Sequence, residues 1–169
     1  MLPETATLFA PAKLTLSLRV TGLRPDGMHL IDAEMITLDF GDTLQIAPGN
    51  AVVYRGTYEG EGDGSDLVSR ALALVGERRS VEVTKRIRPG AGLGGGSSDA
   101  AAILRASGFT DLATAASLGA DIAFCLDGGR ARVTGIGEIS DPLPYEATTV
   151  TLLTPPLHCS TPAVYRAWD

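Results

Sequence analysis

The chain is poor in the residues that build metal and redox centres. Its 169 residues include two cysteines, Cys125 and Cys159, far apart and outside any CxxC pair, and two histidines, His29 and His158. No familiar zinc spacing can be drawn from them, and both cysteines are expected to be free, buried thiols. Long apolar runs are also missing. No stretch approaches the ~18 residues of a membrane span, and the opening MLPETATLFAPAK lacks a basic segment leading into an apolar one, so a cytoplasmic protein is expected. Positive charge is short as well: 14 Lys and Arg stand against 20 Asp and Glu, for a formal net charge of −6. That balance argues against the broad basic footprint a nucleic-acid binder needs. An anionic ligand would have to be held locally, and the one local cationic excess, Lys85, Arg86 and Arg88, immediately precedes a run of glycines. Internal repeats and low-complexity linkers are absent.

What remains is an ordinary folding composition, 44% hydrophobic and 20% charged, with a length that suits one domain able to bury a core without help from a cofactor. The 20 glycines and 10 prolines announce many turns. LTLSLRV at 14–20 alternates apolar and polar residues as a half-buried strand does, after a proline break, and Arg24-Pro25-Asp26-Gly27 supplies a turn. MITLDF at 35–40 and TLQIA at 43–47, separated by Gly41-Asp42, predict a bent strand or a tight strand pair, and VVYRGTY at 52–58 another strand. Within 63–77, Leu67, Ala71, Leu74 and Val75 share one helical face behind a Ser or Asp that can cap it. SVEVTKRI at 80–87 predicts a strand running into the glycines, and SSDAAAILRA a helix leaving them, opened by side chains that satisfy free amides. DLATAASLGA at 111–120 predicts a short helix, GGRARVTG a return to strand, TTVTLLTP at 148–155 a strand, and TPAVYRAWD at 161–169 a capped helix.

The glycine stretch carries the chemistry. Between a strand and a helix, glycines let backbone amides approach phosphate oxygens with no Cβ in the way, and the helix dipole favours an anion there by ~0.3–2 kcal/mol. Gly90, Gly92 and Gly95 also satisfy GxGxxG, and Asp111 stands near the offset of a ribose-binding acid. Against a dinucleotide fold, three cations and Pro89 separate the loop from its strand, and the upstream residues read as several strands rather than one βαβ unit. A Walker loop is excluded because Ser97-Ser98-Asp99 stands where the Lys and its following hydroxyl should be. The bland alternative, a plain surface loop, fits poorly with so many glycines beside cations.

GAGLGGGSSDAA at 90–101, PAKLTLSLRVTGLRPDGMH at 11–29 and GADIAFCLDGGRARVTGIGE at 119–138, with STPAVY at 160–165 as a looser fourth match, resemble the galactokinase, homoserine kinase, mevalonate kinase and phosphomevalonate kinase (GHMP) superfamily. Within it they are most similar to the family of 4-diphosphocytidyl-2-C-methyl-D-erythritol kinases. The resemblance implies an α+β domain, a mostly antiparallel sheet with helices packed on one face. It implies ATP and Mg²⁺, with Pro89, Gly90, Ala91, Gly92, Leu93, Gly94, Gly95, Gly96, Ser97 and Ser98 around the phosphates. It makes Asp121 the base for the accepting hydroxyl and Lys13 its cationic neighbour. On the acceptor side it assigns His29 to the cytosine edge and Tyr165 to its face, with Thr15 and Met28 beside them. Three positions depart from the pattern: Thr15 for the usual Asn, Met28 for Tyr and Ala123 for Pro; the stretch from Ala100 to Gly119 is also short. The family carries a carboxy-terminal domain that closes the cleft, so residues 1–169 are expected to form the amino-terminal domain alone, with a homo-oligomer or another chain as partner. Two alternatives stay open: another small-molecule kinase of the superfamily, and a catalytically silent nucleotide-binding module.

Overall fold

The computed structural model describes residues 1–153, 163, 164 and 167. Two long strands dominate it, β1 (Ala6–Leu23) and β2 (His29–Ala47), joined by the Arg24–Met28 turn. They are followed by β3 (Val52–Gly56), β4 (Gly60–Glu61), α1 (Leu67–Leu74), β5 (Ser80–Lys85), α2 (Gly95–Ala106), α3 (Leu112–Leu118), α4 (Ala120–Asp127), β6 (Arg130–Gly135) and β7 (Ile139–Pro142). The strands make one sheet, ordered β4-β3-β5-β2-β6-β7 with β1 paired to β2. Every pairing is antiparallel except β3 with β5, which the α1 crossover makes parallel. No helix among the described residues is long and apolar enough to cross a membrane.

Strand alternation decides which face the helices cover. On β5, Val81 and Val83 point inward while Glu82 and Thr84 are exposed. On β6, Ala131 and Val133 do the same. These residues meet Ile103, Leu104, Ile122 and Phe124 of the helices in a single core, so the helices occupy one face and the other faces water. The expected α+β architecture is therefore the one observed. Asp66 caps α1, its carboxylate accepting the Ser69 amide at 2.9 Å, and Asp111 caps α3 in the same way.

The region 35–47 is a single bent strand. On β2 the inward residues are Ile31, Ala33 and Met35 before the bend, but Leu44 and Ile46 after it. A period of two cannot change parity without an irregularity, and the β1–β2 register breaks there: Pro11 pairs Gly41, yet Lys13 pairs Thr37. This break lets β1 run through Pro11, where the sequence suggested a stop. Ala12, Ile87 and Leu93 form a second small core at the break, with Leu38 and Phe40 packed on it.

Other expectations are corrected. Residues 148–153 are not a strand; their β-branched composition finds no partner among the described residues, and propensity without a partner does not make a sheet. α4 escaped the sequence reading because Ile122 through Leu126 are all buried, leaving no polar face to mark a helical period. Of the expected helix at 161–169, Ala163, Val164 and Ala167 are helical; its other positions, Tyr165 among them, and His158 and Cys159 lie outside the described residues.

At Gly41 the backbone of β1 leaves no room for a side chain on β2. A Cβ there would lie 2.7 Å from Pro11 Cα and closer still to the Ala10 carbonyl oxygen, both backbone atoms. Gly41→Ala must therefore push β1 and β2 apart, and we expect it to cost about 2–3 kcal/mol, measured by urea unfolding.

Candidate active site

The strand β5 delivers the chain to the loop, and α2 takes it away. Gly90, Gly92 and Gly94 have φ of 74°, 73° and 65°, a conformation only glycine adopts without strain. Gly94 stands at the N-cap of α2 with no side-chain cap, which leaves the first-turn amides without a side-chain acceptor. This differs from the sequence expectation that Ser97, Ser98 and Asp99 open the helix as caps. α2 begins two residues earlier, so those side chains lie inside it. Ser98 is buried; its hydroxyl donates to the Pro11 carbonyl and its amide to Gly94 O at 2.8 Å.

The loop is fixed directly to Lys13. The Lys13 amide donates to the Leu93 carbonyl at 3.0 Å, and a Cβ at Gly94 would lie 2.8 Å from Lys13 Cγ. At the far end of the same side chain, Lys13 Nζ stands 3.2 Å from the Asp121 carboxylate and 3.2 Å from Thr15 Oγ1. Asp121 is in the first turn of α4, where the helix dipole favours its negative charge. Lys13 is 8% exposed as a residue, while the Asp121 side chain keeps 34% of its surface and can be reached from the cleft. Behind them Cys125 is buried, and burial pushes its thiol up to about 12, so it offers no thiolate at neutral pH.

One open cleft of ≈ 1520 Å³ joins these groups, more than the ~300–1,000 Å³ of an ordinary small-molecule pocket. Pro89 through Ser97 line it together with Lys13, Thr15 and Asp121. Met28 and His29 line it where the β1–β2 turn enters β2, and Met28 is 43% exposed. Ser98 faces away, and Tyr165 lies outside the described residues. Asp111, the candidate ribose acid, is spent on the α3 cap.

Several cleft residues went unread in the sequence. Tyr54 and Tyr58 sit edge to face with centroids 5.6 Å apart, and the Tyr54 hydroxyl donates to Asp66 at 2.7 Å; burial, with that hydrogen bond, raises its pKa above the ordinary value. Below the loop, Lys85 bridges two buried carboxylates, Asp42 and Asp99. Lys85 counted only as local positive charge in the sequence. The available signal for its partners was a charged residue at an inward strand position, Asp42, and another heading an alanine face, Asp99.

Comparison with known proteins supports the same frame. Residues 66–129 match the model of the GHMP kinases N terminal domain. The chain is 41% identical over 162 residues to a 4-diphosphocytidyl-2-C-methyl-D-erythritol kinase of Paracoccus denitrificans (strain Pd 1222), covering 94% of this chain and 59% of that protein. A crystal structure of 4-(cytidine 5'-diphospho)-2C-methyl-D-erythritol kinase superposes with a TM-score of 0.71 at 35% identity, over 96% of this chain and 64% of the other. Methanococcus jannaschii mevalonate kinase, 12% identical with a TM-score of 0.54 over 83% of this chain and 56% of its own, shares the fold. The chain thus spans about three fifths of the length of the curated relatives it matches. With its sheet and the glycine loop between β5 and α2, the chain has the α+β fold of the amino-terminal domain of GHMP kinases.

Proposed function

We propose that this chain binds ATP with the phosphates along residues 89–97 and serves in phosphorylating the 2-hydroxyl of 4-diphosphocytidyl-2-C-methyl-D-erythritol, a step of non-mevalonate isoprenoid biosynthesis. The observation that carries the proposal is the direct join between loop and ion pair: the same lysine packs on Gly94 and reaches Asp121. A phosphate chain seated on the loop would present its terminal group to a cation and a carboxylate already held together.

Phosphoryl transfer demands mainly positioning and charge stabilisation. The acceptor oxygen attacks the γ-phosphorus, the bond from phosphorus to the β–γ bridging oxygen breaks, ADP leaves with that electron pair, and the hydroxyl proton passes to Asp121. Lys13 holds the carboxylate in place and offsets negative charge gathering at the transferred group. Mg²⁺ neutralises phosphate charge when bound. Among the described residues no group of three acidic, histidine or cysteine side chains forms a metal cage, which suits an ion ligated largely by phosphate and water oxygens. His29 and Met28 would border the cytidine, and Tyr165 would complete that pocket. A cytoplasmic setting belongs to the same proposal.

A different acceptor within the superfamily is the second reading. Thr15 is engaged with Lys13 Nζ, and exposed Met28 offers the base a flexible thioether instead of a ring.

We expect Mg·ATP consumption by the purified chain to depend on the cytidyl-methylerythritol acceptor, read as ADP release; consumption supported equally by an unrelated sugar alcohol would favour the second reading. Asp121→Asn should keep ATP affinity within about threefold while lowering turnover at least about a hundredfold; unchanged turnover would remove Asp121 as the base. Gly94→Ala faces both a positive φ and Lys13 Cγ, so ATP affinity should fall by roughly tenfold or more in a calorimetric titration.

A further inference from the structure

A buried charge cluster lies beneath the phosphate loop, and the proposed transfer makes no use of it. The Lys85 ammonium, at the end of β5, meets Asp42 of β2 and stands 2.6 Å from Asp99 Oδ2 of α2, and all three residues are at most 6% exposed. Asp42 is fully employed. One oxygen takes Lys85, and the other accepts the amides of Arg86 at 2.5 Å and Ile87 at 2.8 Å, fixing the chain as it enters the loop. Asp99 is half employed: Oδ1 is buried and meets no donor among the described residues. Both Lys85 and Asp99 border the same cleft as the loop, and Lys85 Nζ lies 3.3 Å from where a Cβ at Gly95, the first residue of α2, would stand.

Two carboxylates and one ammonium leave the cluster one proton short of neutrality. The surrounding elements do not correct this. Tyr54 of β3 donates to Asp66 at the start of α1, and Cys125 of α4 is a protonated thiol at neutral pH. Lys13 of β1 is paired with Asp121 of α4. Arg70 of α1 donates to the Leu118 carbonyl, and Arg105, on α2 itself, to that of Cys125. Burial, the largest cause, pushes the Asp99 carboxyl up to about 7 against the pull of Lys85, and Asp42 adds to the rise.

We propose that Asp42, Lys85 and Asp99 brace the phosphate loop as positioning residues, and that Asp99 takes up a proton when a phosphate chain occupies the loop. The proposal rests on reading residues 89–97 as the phosphate site. A nucleotide brings several negative charges to the first turn of α2, above a cluster that is already negative when Asp99 is ionised. Like charge favours the protonated carboxyl, so binding and proton uptake are linked. The sign follows: well below pH 7 Asp99 already holds its proton and none is taken up, whereas above pH 7 the nucleotide must recruit one and affinity declines as pH rises.

The test is calorimetric titration of the purified chain with ADP at pH 7.5, in two buffers of unlike ionisation enthalpy, for the native protein and for Asp99→Asn. The native chain should take up more protons per ADP than the variant, by roughly half a proton, and from pH 6.5 to 8.5 its affinity should fall several-fold more. The ionisation of ADP itself is common to both and cancels. Equal uptake in two proteins that both bind ADP would overturn the proposal. Failure of the native chain to bind ADP would overturn the phosphate-site reading and this inference with it. Should Asp99→Asn not fold, the carboxyl carbon resonance of Asp99 in the native chain decides: its titration midpoint must move up on adding ADP, and an unmoved midpoint would refute the coupling.

Discussion

The contact of Gly94 with the Lys13 side chain is the constraint on which the rest of the site depends. It requires a residue without Cβ, because that atom would lie 2.8 Å from Lys13 Cγ. It also requires the left-handed backbone that Gly94 adopts at φ 65°. The Leu93 carbonyl takes the Lys13 amide just beside it, so a strand and a loop some eighty residues apart in sequence are locked together by backbone as well as side chain. Lys13 can then serve two neighbours at once, the loop along its stem and Asp121 at its tip.

The register break between β1 and β2 makes this possible. Ala10 and Ala12 face inward with the regular period, and Lys13, next in the chain, is buried as well. Only an irregularity between Pro11 and Lys13 brings neighbouring residues to the same side. The small core of Ala12, Ile87 and Leu93 fills the space so opened and supports the loop from below. Asp42, just beyond the bend in β2, catches the amides of Arg86 and Ile87 where β5 has ended, which satisfies backbone groups that would otherwise be buried without partners. Bend, second core and buried carboxylate thus act together to hold a loop that has few side chains of its own.

Much of the frame was legible in the sequence because it rests on local rules. Alternation marked β1 and β5; a Ser or Asp able to cap marked the start of α1; the glycines marked the loop between β5 and α2. Lys13 and Asp121 came from the resemblance alone, since a single Lys or Asp has no local signature. What escaped depends on tertiary context. The bend of β2 needed its partner strand, α4 is buried all round, and the Asp42–Lys85–Asp99 cluster joins residues from three elements. At 148–153 composition misled, since β-branched residues form a strand only beside a partner.

The loop and the Lys13–Asp121 pair are proposed to act on one phosphate chain. A crystal structure of this chain with a non-hydrolysable ATP analogue tests it most directly. Phosphate oxygens are expected on the backbone amides between Gly92 and Ser97, with the terminal phosphate within hydrogen-bond reach of Lys13 Nζ and turned towards Asp121. A nucleotide seated elsewhere in the cleft, or one whose terminal phosphate points away from Lys13, would contradict this.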